Sequence, residues 1–329
     1  SGEEAAELVD KTKGVIYDLE NPWNIKRKFD IGADTHYDMF EIKFPNGNVM
    51  KRSISLMNDF KKNNDRNEVD IANMYKTSIH SNLQEAVLLH KLSQITVGNS
   101  ADNTLRTVSP KIDNVYVYMN GGSDCYVGYT MGLGKGSLND ALEDIDDNIT
   151  GGRKLSKGDL HIVNTMQEQI YDLMAAQCDA GYINLDIKPH NLLVNRDNNI
   201  QIIDSGATDF TYDVNELLVD VGNSDLKREL IIFAQQLIVT LNIVIYRGDL
   251  FQAHKFKMLP TAIKNLKTMG ITLDKVADYL ITIKKNTEFS YSYMLNYYGH
   301  ANQARTKQEN DTYLRSMVKY VFNRYDQLS

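Results

Sequence analysis

Residues 181–206 read GYINLDIKPHNLLVNRDNNIQIIDSG. Glycine is the usual stop residue of a helix, so Gly181 closes the segment before it. That segment carries Ile162, Val163, Met166, Ile170, Leu173 and Met174 on one helical stripe. After Gly181 come Asp186, Lys188 and Asn191 in the spacing D-x-K-x-x-N. Two short β-like runs, NLLV and IQII, flank the polar turn NRDNN, and the second run ends in Asp204-Ser205-Gly206. The pattern predicts a long helix, a polar loop and a tight hairpin with a carboxylate at its far end.

Transfer of a phosphoryl group from a nucleotide needs such a set. Phosphate oxygens are negative, so divalent metal must bridge them, and carboxylate or carboxamide oxygens must hold the metal. Asn191 and Asp204 supply those oxygens from opposite sides of the hairpin. A carboxylate must also receive or orient the attacking hydroxyl, and Asp186 stands five residues before Asn191. Lys188 adds a cation that offsets charge in the transition state. Asx side chains also favour turns, and a hairpin alone could use them. Four polar positions together with Pro189, in fitting flanking structure, favour the chemical reading.

The stretch resembles the catalytic loop and metal-binding motif of protein kinases, H-R-D-x-K-P-x-N followed by D-F-G. NLDIKPHN and DSG keep D, K, P and N in register, with a hairpin of fitting length between them. The lysine after the loop aspartate separates it from small-molecule kinases of the same superfold, and serine/threonine kinases are the family it is most similar to. The resemblance implies an α+β, bilobal, protein-kinase-like fold: a small antiparallel β-sheet N-lobe with one helix, and a larger, mainly helical C-lobe. It also implies ATP and Mg2+ (or Mn2+) as cofactors, Asp186 and Lys188 as catalytic residues, Asn191 and Asp204 as metal ligands, and protein Ser/Thr hydroxyls as acceptors. It spans residues 28–245 and is closest over 181–206; the residues after 245 match nothing in it.

Outward from the motif the chain divides into an N-terminal extension (1–27), an N-lobe (28–131) and a C-lobe with a divergent helical end (132–329). The extension reads as part helix and carries the only tryptophan, Trp23. KFDIGADT, YDMFEIKF and VMKRSISL are strand-like, the last two joined by the turn Pro45-Asn46-Gly47-Asn48. Residues 58–79 are polar. NLQEAVLLHKLSQI then predicts a helix with Leu83, Val87, Leu88 and Leu92 on its apolar face, and 97–108 a polar loop. NVYVYMN and CYVGYTM are further strands around Gly121-Gly122-Ser123-Asp124. GSLNDALEDI opens a helix capped by Ser137 with Asp140 three residues on, followed by a polar loop over 143–157. ELIIFAQQLIVTLNIVIY is apolar nearly all round, as a helix buried at a domain centre is. Residues 260–329 read as amphipathic helix with aromatic patches. Ligands favour the cleft between two such halves.

By the same resemblance the N-terminal half would bind the nucleotide. Gly32 fits the glycine-rich phosphate loop, although Asp34 and Tyr37 stand where further glycines are expected. Lys51 in NVMKRS would reach the α- and β-phosphates. Its acidic partner on the following helix would be Glu85, with Glu68 as the alternative. Backbone groups from Tyr129 to Gly132, Thr130 and Met131 among them, would hold adenine, and Tyr129 or Thr130 would be the gatekeeper. Glu229 with Phe233-Ala234 echoes the D-x-W-S-x-G pattern of the central kinase helix. Asn184-Leu185 replaces the family's His-Arg, and no A-P-E sequence precedes the buried helix. The loop arginine that docks a phosphorylated activation segment is therefore missing, which predicts constitutive or partner-dependent control. A kinase-shaped binding scaffold and a small-molecule phosphotransferase are the other readings.

Composition narrows the classes further. Among 329 residues, 42% are hydrophobic and 24% charged, enough for a large core. The net charge of −7 and the lack of a long basic stripe argue against nucleic acid as a partner. No apolar run approaches the roughly 20 residues of a membrane span. Cys125 and Cys178 have no metal-ligand spacing, and a lone distant pair fits a reducing, cytoplasmic setting. The remaining histidines are scattered, and FSYSYMLNYY (289–298) reads as packing. The start lacks an initiator Met and a signal-peptide profile, and Ser1-Gly2 is set aside as a tag scar or truncation point. Abundant Asn, Asp, Lys and Tyr with only 5 prolines point to an AT-rich genome, and so to a viral or bacterial effector in host cytoplasm.

Overall fold

The computed structural model describes residues 13–16, 27–30, 37–43, 48–56, 85, 87–98, 105–120, 124–132, 134–184, 187–203, 218, 220–246, 258–286 and 307–328. These form a mixed α+β chain, mainly helical, with small antiparallel sheets. Two compact units divide it: residues 1–94 with 109–133, and residues 95–108 with 134–329.

In chain order the first elements are β1 (Lys13–Ile16), β2 (Arg27–Asp30), β3 (Tyr37–Lys43), β4 (Asn48–Leu56), a helix α1 described over 87–92, β5 (Thr96–Gly98), β6 (Leu105–Thr107), β7 (Ile112–Asn120) and β8 (Asp124–Gly132). The first unit is an antiparallel sheet in the order β1-β7-β8-β4-β3-β2. Both expected hairpins form. β3 joins β4 across 44–47, and β7 joins β8 across 121–123, with Asn120 opposite Asp124. Val, Ile and Tyr recur along these strands and suit a pleated surface.

Three expectations need correction. The segment read as a part-helical extension supplies β1, which pairs with Tyr116–Met119; Gly14 weakens a helix there, while Val15 and Ile16 favour a strand. The stretch read as a polar loop over 97–108 contributes to a strand pair, Thr96–Gly98 with Leu105–Thr107, which belongs to the second unit. In α1 the buried positions are Leu89 and Leu92, whereas Val87 is exposed. Leu89 and Leu92 are three apart and share a face, which Val87, two residues away from Leu89, cannot join.

The second unit continues with β9 (Gly136–Ser137), α2 (Leu138–Thr150), α3 (Lys157–Asp179), a 3-10 turn (Pro189–Asn191), β10 (Leu192–Val194), β11 (Ile200–Ile202), α4 (Ser224–Tyr246), α5 (Pro260–Thr268), α6 (Leu273–Asn286) and α7 (Lys307–Leu328). The Ser137 hydroxyl accepts from Asp140 N at 3.1 Å, and the Asp140 carboxylate accepts from Ser137 N at 3.2 Å. This is the expected capping box. Ser156 and Asp159 start α3 in the same way. α2 runs on through the loop expected from residue 143, because Leu138, Leu142 and Ile145 keep one buried stripe. Acidic residues fill its other positions without breaking the period.

α4 is buried continuously from Glu229 to Leu241 and packs against α3, α5 and α6. α7 also enters this core: Leu314, Met317, Val318, Val321 and Phe322 are buried, and the Phe322 ring lies 5.9 Å from that of Phe233 at 57°. The C-terminal residues are therefore part of the second unit rather than an appendage. Among the described residues, no helix is long and apolar enough to cross a membrane.

Phe233 is fully buried, so Phe233→Ala removes a whole ring from the α4–α7 contact. A loss of about 3–5 kcal/mol is expected in urea unfolding. Tyr320→Ala on the exposed face of the same α7 is expected to stay within about 0.5 kcal/mol of wild type.

Candidate functional site

The polar loop is fixed at its entry and its exit. Gly181 turns the chain out of α3 with φ 85, a left-handed conformation that costs glycine nothing. Asn184 N–H donates to Gln235 Oε1 of α4 at 2.8 Å, in the interior. Ile183 and Ile187 are fully buried on either side of 185–186, so the loop is anchored by apolar side chains as well as by this bond. Lys188 is extended (φ −144, ψ 160) and half-buried. Pro189 opens the 3-10 turn, where its fixed φ fits and its missing N–H is not needed. Asn191, buried, closes the turn by donating its N–H to Lys188 O at 2.9 Å. Asp186 and Asp204 lie outside the described residues.

The expected hairpin follows, with Leu192 opposite Ile202 and Val194 opposite Ile200. In its turn, Asn195 Oδ1 accepts from Asp197 N and Asn199 N, both at 2.9 Å. Asn198 takes φ 62, which asparagine tolerates better than most residues. Beyond the ladder, Ile203 N–H donates to Asn191 O at 3.0 Å. That bond brings the strand end that precedes Asp204 back to Asn191.

Side chains that carry no motif hold this hairpin. Gln169 Oε1 accepts from Ile200 N at 2.7 Å, and Gln169 Nε2 donates to Thr165 Oγ1 at 2.8 Å. Arg106 Nε donates to Ile200 O at 2.8 Å, and Arg106 Nη2 donates to Gln169 O at 2.9 Å. Ile202 N donates to Val108 O at 2.8 Å, and Gln201 Nε2 donates to Thr107 O at 3.0 Å. Reading by motif misses Gln169, Gln235 and Arg106. The available signal was glutamine inside apolar helices, since a buried carboxamide must find partners.

Glu229 serves a different end from the echo noted above. Its buried carboxylate accepts from Tyr171 OH at 2.8 and 3.1 Å, from Arg228 Nη1 at 2.9 Å and from Asn265 Nδ2 at 3.2 Å. Arg228 also donates to Asp179 Oδ2 at 2.8 Å. α3, α4 and α5 are cross-linked here, while the bond from α4 to the polar loop comes from Gln235. Burial, followed by the Glu229 hydrogen bond and charge, pushes the Tyr171 phenol up to about 12. The Asp179 hydrogen bond raises the Arg228 guanidinium above its usual range.

In the first unit, β4 sets Lys51 opposite Tyr129 of β8 and opposite Glu41 of β3. The Tyr129 hydroxyl donates to Glu85 Oε1 at 3.2 Å. Thr130 pairs with Met50 and Asn114, and Met131 with Val49 and Ile112, so both lie inside a central strand. A strand between two neighbours commits most of its N–H and C=O groups to them. The ladder ends at Gly132. Gly32, Asp34 and Glu68 lie outside the described residues. Among the described residues, no group of three or more His, Cys, Asp or Glu side chains is placed to hold a metal.

Comparison of the chain with protein-family models and with curated proteins finds no match.

Gln235→Leu keeps the side-chain size but removes the acceptor used by Asn184 N–H. A loss of about 1–3 kcal/mol in chemical unfolding is expected. Tyr171 supplies a pH test. Its folded pKa lies above the ordinary 10.0, so its contribution is present below pH 10 and is lost as pH rises toward 12. Unfolding measured between pH 10 and 12 is expected to show a shallower fall in stability for Tyr171→Phe than for wild type.

Proposed function

We propose that the chain is a kinase-like phosphotransferase that uses ATP with Mg2+ or Mn2+ to modify protein serine or threonine hydroxyls. The observation that carries this reading is the Ile203 N–H to Asn191 O bond at 3.0 Å. It ties the end of the strand before Asp204 to the loop that contains D-x-K-x-x-N.

Each residue then has a role. Asp186 orients the acceptor hydroxyl and takes its proton as the oxygen attacks. Lys188, half-buried two residues on, offsets charge that develops on the transferred group. Asn191 and Asp204 are the residues that would hold the cation, and their carboxamide and carboxylate oxygens are the donors hard divalent ions prefer. When bound, the cation supplies neutralisation of phosphate charge. Directly opposed residues of a ladder share a sheet face. Lys51, opposite Tyr129 in the ladder, would be the lysine for the α- and β-phosphates, with Glu85 as its acidic partner. Adenine would be met by backbone groups from Tyr129 to Gly132, Thr130 and Met131 among them, and Gly32 would let backbone approach the phosphates.

A kinase-shaped scaffold is the second reading, favoured by Asp34 and Tyr37 in the phosphate loop and by Asn184-Leu185 before Asp186. Under either reading the partners are ATP, a protein substrate or client, and a regulatory protein. A cytoplasmic setting, a host cytoplasm included, rests on the cysteine pattern and composition.

Phosphotransfer from labelled ATP with Mg2+ or Mn2+ tests the proposal. Wild type is expected to incorporate label, and Asp186→Asn to lose about 10²–10⁴-fold in rate. Asp204→Ala should be inactive, and phosphatase pretreatment of wild type should change nothing. A chain that Mg-ATP stabilises against heat but that transfers no label to any protein would turn the assignment to the scaffold. Neither transfer nor stabilisation would sink the nucleotide reading.

A further inference from the structure

Residues 95–108 stand in the sequence between α1 and β7, both of the first unit, yet they belong to the second. They form β5 and β6, with Val97 opposite Arg106, and β5 packs against α3. The pair buries a guanidinium: Arg106 is 6% exposed. Removing that group from water is costly, and strand pairing alone does not require it. Arg106 donates to Ile200 O at 2.8 Å and Gln169 O at 2.9 Å.

β11 is the edge of its sheet, whose order is β11-β10-β9. An edge strand presents a row of backbone groups with no strand beside it. Here that row is taken up from outside: Ile200 N by Gln169, Ile200 O by Arg106 and Ile202 N by Val108 O. Ile203 N then goes to Asn191 O, and Asp204 is the next residue. A strand rises about 3.3 Å per residue. Ligand distances in a sound metal site keep within about 0.2 Å of their usual values. A small slip of β11 would shift Asn191, which Ile203 N–H holds.

On the phosphotransfer reading above, we infer that Arg106 is a positioning residue that sets the register of β11 and so, through the Ile203–Asn191 bond, the place of Asn191 for a metal–nucleotide ligand. Arg106 acts through Ile200 and Gln169 and touches no reactant. The guanidinium suits the task because its fork spans two carbonyls at once and stays charged at all working pH.

The test compares the full chain with Arg106→Met, Arg106→Lys and the control Tyr171→Phe, whose hydroxyl bonds lie among α3, α4 and α5. Half-saturating Mn2+ is read by electron paramagnetic resonance with ATP present, and again by phosphotransfer. Amide exchange at Ile200 and Ile202 is measured with no nucleotide. Arg106→Met is expected to raise half-saturating Mn2+ by about 10–100-fold, the usual effect of losing a residue that orients a metal ligand. It should also speed exchange at both amides. Arg106→Lys, which can reach one carbonyl, should show a smaller shift and carries the test if Arg106→Met does not fold. Tyr171→Phe should leave Mn2+ dependence unchanged. An active wild type with unshifted Mn2+ dependence in both Arg106 variants overturns the positioning role and leaves the phosphotransfer reading standing. An equal shift in Tyr171→Phe overturns it too, as an effect of general destabilisation. A wild type that neither transfers phosphate nor binds Mn2+ with ATP removes the reading and this inference together.

Discussion

A backbone amide buried beside a helix must find an acceptor, and in the second unit the acceptors are glutamines. Gln169 takes Ile200 N and Gln235 takes Asn184 N, at 2.7 and 2.8 Å. Leaving either amide unmet would cost about 1–3 kcal/mol. The apolar stripes of α3 and α4 bring the helices together, but dispersion and burial have no direction. Hydrogen bonds do, and they give the interface a single register. Between the helices themselves, Gln236 Nε2 donates to Gln167 O at 2.9 Å. The loop and hairpin inherit their positions from this seam.

That dependence explains why the C-terminal helices matter to a site they do not form. α4 carries Gln235 on a surface that is buried from several sides, against α3, α5 and α6. Phe322 of α7 meets Phe233 two residues before Gln235. The polar network around Glu229 holds α3 and α5 to the start of α4 through Tyr171 and Asn265. Packing of the last helix thus bears on the rigidity of α4, and through α4 on the anchor of the polar loop.

Much of this was legible in the sequence where period or turn chemistry spoke alone. Asn-Gly and Gly-Gly turns between alternating runs fixed the hairpins, and Ser137 with Asp140 fixed the start of α2. The NRDNN turn between NLLV and IQII placed β10 and β11. Charge misled the reading of 143–150, where acidic side chains hid a continuing stripe through Ile145. β1 was hidden because four residues are too few to show a period, and their partner strand lies about a hundred residues away. β5 and β6, three residues each, are likewise too short to show a period. Local pattern cannot report that 95–108 leaves the unit that surrounds it in sequence, since only long-range contacts decide it. Spacing singles out Lys188 and Asn191, but Arg106, Gln169 and Gln235 act through backbone groups, which leave no mark in a motif.

The chemistry of these supports also bears on control. Where the family resemblance leads one to expect His-Arg before the loop aspartate, Asn184-Leu185 stands, and Asn184 is held through its backbone. Gln235 and Gln169 are neutral carboxamides with nothing to titrate, and Arg106 keeps its charge throughout the physiological range. Salt screens interactions between exposed charges far more than short bonds inside a core. A loop supported in this way changes little with pH, ionic strength or a phosphate added nearby. On the phosphotransfer proposal, control of such a site would come from what reaches it, a nucleotide, a substrate or a partner protein, rather than from a charge switch within its own support.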